Sequence, residues 1–253
     1  MSVVINLDSR RKTPTSFKSL SHPAGVTLPF ESPADAELII PEIRNRIVSG
    51  AYSADLLRQL DDTVRPADRV LVIGAGLGTA STLVAKHRGV KRVFAVEANT
   101  ELCTYLARTH ELNGVAWVET VNAVLGTGLK GRLPFFARHD TRTSSLLPDE
   151  CSWQRVMMIP CMDLNLILAE EKISLVICEI PSGAVALLAS ADLSTVDRIL
   201  VGSGDDVLTF GEANDVLPLL TEKGFEAERS GATLRFDRAE AGRETHLQVR
   251  DRA

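Results

Sequence analysis

The chain has few cysteines, no block of positive charge and no long uncharged apolar run, and each shortage excludes a class of function. Its four cysteines, Cys103, Cys151, Cys161 and Cys178, show no C-x-x-C spacing and no nearby histidine pair. Neither a zinc site nor a disulfide framework is expected, and the compartment is predicted to be reducing. No stretch of membrane-spanning length lacks charges, and Met1 to Ser9 is too short and too lightly apolar for a signal peptide. A soluble, cytoplasmic protein without a membrane partner is the expectation. The formal net charge is −5, and beyond Arg10, Arg11 and Lys12 the basic residues are interleaved with acids. A nucleic-acid partner is therefore not expected, because neutralising phosphates calls for a basic stripe.

What is present is a hydrophobic fraction of 45% in 253 residues, enough for one large α/β domain. Residues 1–33, rich in Ser, Thr, Pro and basic side chains, read as a flexible or irregular leader, with a single domain over 34–253. Apolar residues from Leu38 to Leu60 recur at helical spacing with a break near Gly50 and Tyr52, which predicts two helices. From Val70 strands and helices alternate: strands at 70–73, 92–96, 115–121, 174–178 and 197–201, helices at 78–87, 100–112, 162–171, 184–190 and 212–222. That rhythm predicts a doubly wound, mostly parallel sheet. Segments Phe225–Arg229, Ala232–Phe236 and His246–Val249 read as an antiparallel C-terminal edge. Residues 126–160 interrupt the alternation and read as a hairpin or lid insertion.

The run VLVIGAGLGTAS, Val70 to Ser81, describes a strand, a glycine turn and a helix start whose unpaired N–H groups face a ligand. Glu97, at the tip of the next strand, is placed to accept both hydroxyl hydrogens of a ribose. The glycines fall as G-x-G-x-G, with Thr79 where a dinucleotide fingerprint has its last Gly or Ala. This favours S-adenosylmethionine over NAD. The alternative is that the glycines merely let a helix pack closely on a strand.

GAGLG, VEAN, the preceding GAYSADLLRQL, NAVLG at Asn122, TSSL at Thr143, PCMDLNLIL at Pro160 and the GA at Gly183 together resemble FkbM-type methyltransferases, over residues 50 to 200. The resemblance implies a class I methyltransferase sheet, S-adenosylmethionine as cofactor and methylation of a hydroxyl on a small molecule or sugar. It implies Gly74, Ala75, Gly76 and Gly78 around the methionine part, Glu97 on the ribose, and Ala98, Asn99, Asn122 and Ala123 near the adenine. The chain departs from the family at Val72, Ile180 and Ser182, where the family has acids. Glu179 is the candidate catalytic base, set against a solvated or capping carboxylate; His139 and Asp140 are a second choice. No metal is expected. The competing reading is a non-catalytic binding or assembly module that keeps the fold.

Overall fold

The computed structural model describes residues 19–148, 153–180, 183–202, 210–239 and 250–251. Strands β1 (Ser19–His22) and β2 (Val26–Pro29) form an antiparallel hairpin, followed by helices α1 (Pro33–Leu38), α2 (Pro41–Ser49) and α3 (Ala54–Thr63). The first part of the sheet is β3 (Arg69–Ile73), α4 (Thr79–Lys86), β4 (Arg92–Glu97), α5 (Thr100–Leu112) and β5 (Glu119–Asn122). An insertion carries β6 (Val124–Gly126), β7 (Arg132–Ala137) and β8 (Arg155–Asp163). The chain then runs through α6 (Leu164–Glu170), β9 (Leu175–Cys178), α7 (Ala184–Ser190), β10 (Arg198–Gly202), α8 (Phe210–Glu222), β11 (Phe225–Ser230), β12 (Thr233–Arg238) and β13 (Arg250–Asp251).

The central sheet has the order β13-β11-β12-β10-β9-β3-β4-β5. Neighbours from β10 to β5 are parallel, and β12 is antiparallel to both β10 and β11. The expected α/β class, doubly wound and mostly parallel, is therefore what the chain adopts. The C-terminal edge is antiparallel, as expected, and one strand makes it so. Only β12 is reversed; β11 points the same way as β10, and β13 pairs parallel with β11. The predicted strand His246–Val249 lies outside the described residues.

Alternation along each strand builds two cores. Leu71, Ile73, Phe94, Val96, Val176 and Cys178 face α6, α7 and α8, whereas Val70, Val72, Val93, Ala95, Leu175 and Ile177 face α3, α4 and α5. A strand buried on both faces reads as a continuous apolar run, which is why the parallel strands are visible in the sequence.

Three expectations are revised at the edges of this frame. Residues 19–29, assigned to the irregular leader, are an ordered hairpin with Val26 and Leu28 buried. Tyr105 Oη donates to Pro29 O at 2.6 Å, and Asn113 Nδ2 donates to Thr27 O at 2.6 Å, so α5 grips the hairpin. Three helices, not two, precede β3, because Pro41 starts a new helix at its first turn. The strand expected at 115–121 begins only at Glu119: Val115 and Val118 are buried, but in a turn closed by Val118 N–H on Val115 O. The insertion is a three-stranded sheet in which β8 pairs antiparallel with β7 and parallel with β6.

Candidate functional site

At the C-terminal ends of β9, β3 and β4 lies a cavity of about 350 Å³. Its floor is the loop after β3, where Gly74 and Gly76 have positive φ of 76° and 52°. A methyl group on Gly74 would meet Ile180 Cγ2 at 2.8 Å and Glu179 O at 2.9 Å, so this glycine lets β9 come close. One on Gly76 would point toward Tyr52 Oη at 3.6 Å, across the cavity, where it would occupy ligand space. Gly74, Ala75 and Gly76 all line the cavity.

Glu97 is 6% exposed. Its Oε2 accepts from Gly76 N–H at 2.9 Å and its Oε1 from Asn99 N–H at 2.8 Å. Burial raises this carboxyl above its ordinary value, and the backbone N–H groups of Asn99, Gly76 and Ala98 act against that rise. Two hydrogen bonds leave acceptor capacity on each oxygen of the carboxylate. The same side chain thus fixes the glycine loop and retains lone pairs for a vicinal diol. Beside it, Ala98, Ala123, Val124 and Phe135 form an apolar wall suited to a planar base.

Three expected residues are not in the wall. Asn99 is the N-cap of α5, its Oδ1 accepting from Glu101 N–H at 2.9 Å. Gly78, with φ 85°, is the N-cap of α4, and a methyl group on it would meet Leu106 at 3.4 Å, Thr109 at 3.5 Å and His110 at 3.6 Å, so this glycine faces α5. Asn122 directs Nδ2 to Glu97 O at 2.9 Å and Ala98 O at 3.0 Å, while its Oδ1 accepts from Thr100 Oγ1 at 2.9 Å. The amide is engaged in holding the end of β4, behind the cavity wall at Ala98 and Ala123.

Glu179 does line the cavity. Its N–H donates to Ile73 O at 2.8 Å, continuing the ladder one residue past β9, and this puts its side chain on the α3 side of the sheet. There Ser53 Oγ donates to Glu179 Oε2 at 3.3 Å. Ile180, one residue on, reaches the cavity from the opposite core, and Pro181 and Ser182 lie outside the described residues. Val72, where the resembling family has an acid, is fully buried under the helices.

His139 is exposed, and Asp140 is tied to Arg142, with Arg142 Nη2 on Asp140 Oδ2 at 2.6 Å. Burial acts to raise the Asp140 carboxyl, but the hydrogen bonds and charge of Arg142 prevail and hold it below its ordinary value. This pair is a structural clamp. Asp163, which stands before an apolar run, caps α6, its Oδ1 accepting from Asn165 N–H at 2.9 Å. Phe135 lines the cavity, whereas Trp153 is 48% exposed and leans on Phe136.

Sequence reasoning missed Tyr52, Ser53, Arg142 and Ser144 to Leu147 as lining residues. Two signals were present: GAYS and TSSL both fall within the resembling segments, though neither motif states what it would face.

No protein-family model matches the chain, and no curated protein matches it in sequence. Among solved structures it is similar to a ribosomal protein L11 methylase from Lactobacillus delbrueckii subsp. bulgaricus, with a TM-score of 0.46 and 15% identity over 76% of this chain and 80% of that one. It is similar to TrmK of M. capricolum in complex with S-adenosyl-homocysteine, with a TM-score of 0.45 and 8% identity over 76% and 73%. A precorrin-6y C5,15-methyltransferase from Geobacter metallireducens GS-15 gives a TM-score of 0.44 and 14% identity over 69% and 72%.

Proposed function

We propose that the chain is an S-adenosylmethionine-dependent methyltransferase acting on a hydroxyl of a small molecule or sugar. The observation that carries the cofactor is Glu97: a buried carboxylate at a strand tip, bonded to Gly76 N–H and with acceptor capacity remaining, at the wall of a cavity of the right order for a nucleoside ligand. The residues present fit that group. Glu97 would hold the ribose, the apolar wall at Ala98 and Ala123 the base, and the Gly74–Gly76 backbone the amino-acid part. The hydroxyl acceptor rests on the resemblance to FkbM-type proteins and on the EIPSG segment after β9, which has no amide or acid before a Pro-Pro-aromatic run to orient an amine.

The cofactor, when bound, supplies the methyl group on a sulfonium. The chain's task is alignment and exclusion of water. The insertion acts as the lid: Phe135 and Ser144 to Leu147 form its inner wall, and Arg142 to Glu42 at 3.4 Å and Arg155 to Glu101 fasten it to α2 and α5.

Calorimetric titration with S-adenosylmethionine, S-adenosylhomocysteine and NAD tests the reading. Binding of the first two, without NAD, is expected; binding of NAD alone, or of none, rejects it. Cofactor binding without turnover across a panel of hydroxyl acceptors would favour a binding module.

A further inference from the structure

The corner between α2 and α3 is built more tightly than a connection requires. Ser53 has φ 51° and ψ 26°, a left-handed conformation unfavourable for a residue with a side chain, and it is 3% exposed. It occupies the N-cap position of α3, where a serine hydroxyl ordinarily bonds a backbone N–H of the first turn, yet it makes no such cap. Its hydroxyl turns into the cavity and bonds Glu179. The surroundings over-determine this arrangement. His22 Nε2 lies 3.1 Å from Tyr52 O, and its Nδ1 accepts from Ala24 N–H, which fixes Nε2 as the donor to that carbonyl. Two residues on, Asp55 Oδ2 accepts from Ala232 N–H at 2.7 Å, pinning the start of α3 to the β11–β12 turn.

The two acids of the cavity stand on either side of the glycine loop. Glu97 ends β4 and Glu179 follows β9, with β3 between them, and alternation puts both on the face of the sheet that carries α3 and α4. Two strand spacings separate their backbones by about 10 Å. In S-adenosylmethionine a ribose hydroxyl oxygen and the amino nitrogen are joined by eight bonds, and an extended chain of that length spans about 10 Å. With a hydrogen bond of about 2.8 Å added at each end, a ribose on Glu97 and an ammonium on Glu179 are within reach of one ligand that lies across Gly74 to Gly76 bent short of full extension. That ammonium needs an anion, and at position 72 the chain has a buried Val instead of the acid found in the resembling family.

We propose that Glu179, oriented by the Ser53 hydroxyl, is the binding partner of the ammonium group at the amino-acid end of the cofactor, and not the base that removes the acceptor's proton. The proposal rests on the S-adenosylmethionine reading. Glu179 is then a specificity residue for ligands that carry a free α-amino group, and Ser53 a positioning residue.

Calorimetry with two ligands separates the possibilities: S-adenosylhomocysteine, which has the amino-acid end, and 5′-methylthioadenosine, which has the same nucleoside and lacks it. Glu179→Gln is expected to weaken S-adenosylhomocysteine tenfold or more and to leave methylthioadenosine within twofold of wild type. The second ligand doubles as proof that the variant's site is folded. Ser53→Gly, which accepts the left-handed backbone and removes only the hydroxyl, is expected to weaken S-adenosylhomocysteine severalfold with methylthioadenosine again unchanged. Equal loss of both ligands, or undiminished S-adenosylhomocysteine affinity in Glu179→Gln, overturns the proposal. If wild type binds neither ligand, the cofactor reading itself fails and the assignment of Glu179 falls with it; if wild type binds both and Glu179→Gln discriminates neither, the cofactor reading stands alone.

Discussion

The proposed function gives Glu97 two jobs, holding the loop and the ribose, and its variants should show both. Replacing it with Ala removes the ribose acceptor and also releases Gly76 N–H and Asn99 N–H. Affinity for S-adenosylhomocysteine is expected to fall by about 1–3 kcal/mol, accompanied by a measurable loss of stability. Unchanged affinity by calorimetry would contradict the ribose assignment. His110 offers an independent check on the core behind the loop. It is buried, with Ser81 Oγ 2.8 Å from its Nε2 and Thr120 Oγ1 3.2 Å from its Nδ1, and burial lowers its pKa from 6.5 to about 4. The unfolded chain takes up a proton near pH 6.5 that the native imidazole refuses until about pH 4. The stabilising contribution is therefore complete above pH 6.5 and is lost as pH falls toward 4, on the order of 3 kcal/mol across that window. NMR titration should find His110 neutral at pH 5.5; a midpoint near 6.5 would contradict its buried placement. Two cysteines are held as thiols: burial, with a smaller effect of Glu97, pushes Cys103 up to about 11, and burial pushes Cys178 up to about 12.

At the scale of elements, what the sequence makes legible is set by whether the signal is local. Asp163 before an apolar run is a local signal, and it is the N-cap of α6; it also accepts from Gly128 N–H at 3.1 Å, joining the insertion to the helix. Asp163→Ala is expected to cost about 1 kcal/mol in urea denaturation, and Asp163→Asn much less. Equal stabilities for wild type and the Ala variant would remove the cap from the account. The hairpin of β1 and β2 is the opposite case. Its segments, Ser-Leu-Ser-His and Val-Thr-Leu-Pro, are too short to declare themselves, and their order comes from α5, more than seventy residues away, through Tyr105 and Asn113. Gly78 shows a similar limit. A glycine inside a motif looks like a ligand contact, but which glycine meets ligand and which meets a neighbouring helix depends on where α5 lies. For Ser53 the GAYS motif marked the position but not its left-handed backbone, which is held by contacts of its neighbours Tyr52 and Asp55 with β1 and the β11–β12 turn.

For the whole molecule, the parallel core was readable because its strands are buried on both faces, and the reversed β12 was half-readable: its hairpin with β11 is local, whereas its insertion beside β10 is not. One long-range contact closes the end of the sheet opposite the cavity. Asp68, before β3, and Arg198, at the start of β10, are 4% and 3% exposed and meet at 2.6 Å, with Ser174 Oγ and Arg65 N–H also donating to Asp68. Arg198→Met would leave Asp68 buried without its cation and is expected to destabilise the fold by about 3–5 kcal/mol; a loss below 1 kcal/mol in urea would contradict a structural role. No helix among the described residues is long and apolar enough to cross a membrane. The central claim is that the cavity over Gly74 to Gly76 is built for the S-adenosyl group, and a crystal structure of the protein grown with S-adenosylhomocysteine tests it most directly. The account predicts both ribose hydroxyls on Glu97, the base against Ala98 and Ala123, and the amino nitrogen beside Glu179. Ligand bound elsewhere, or a ribose turned away from Glu97, would contradict it.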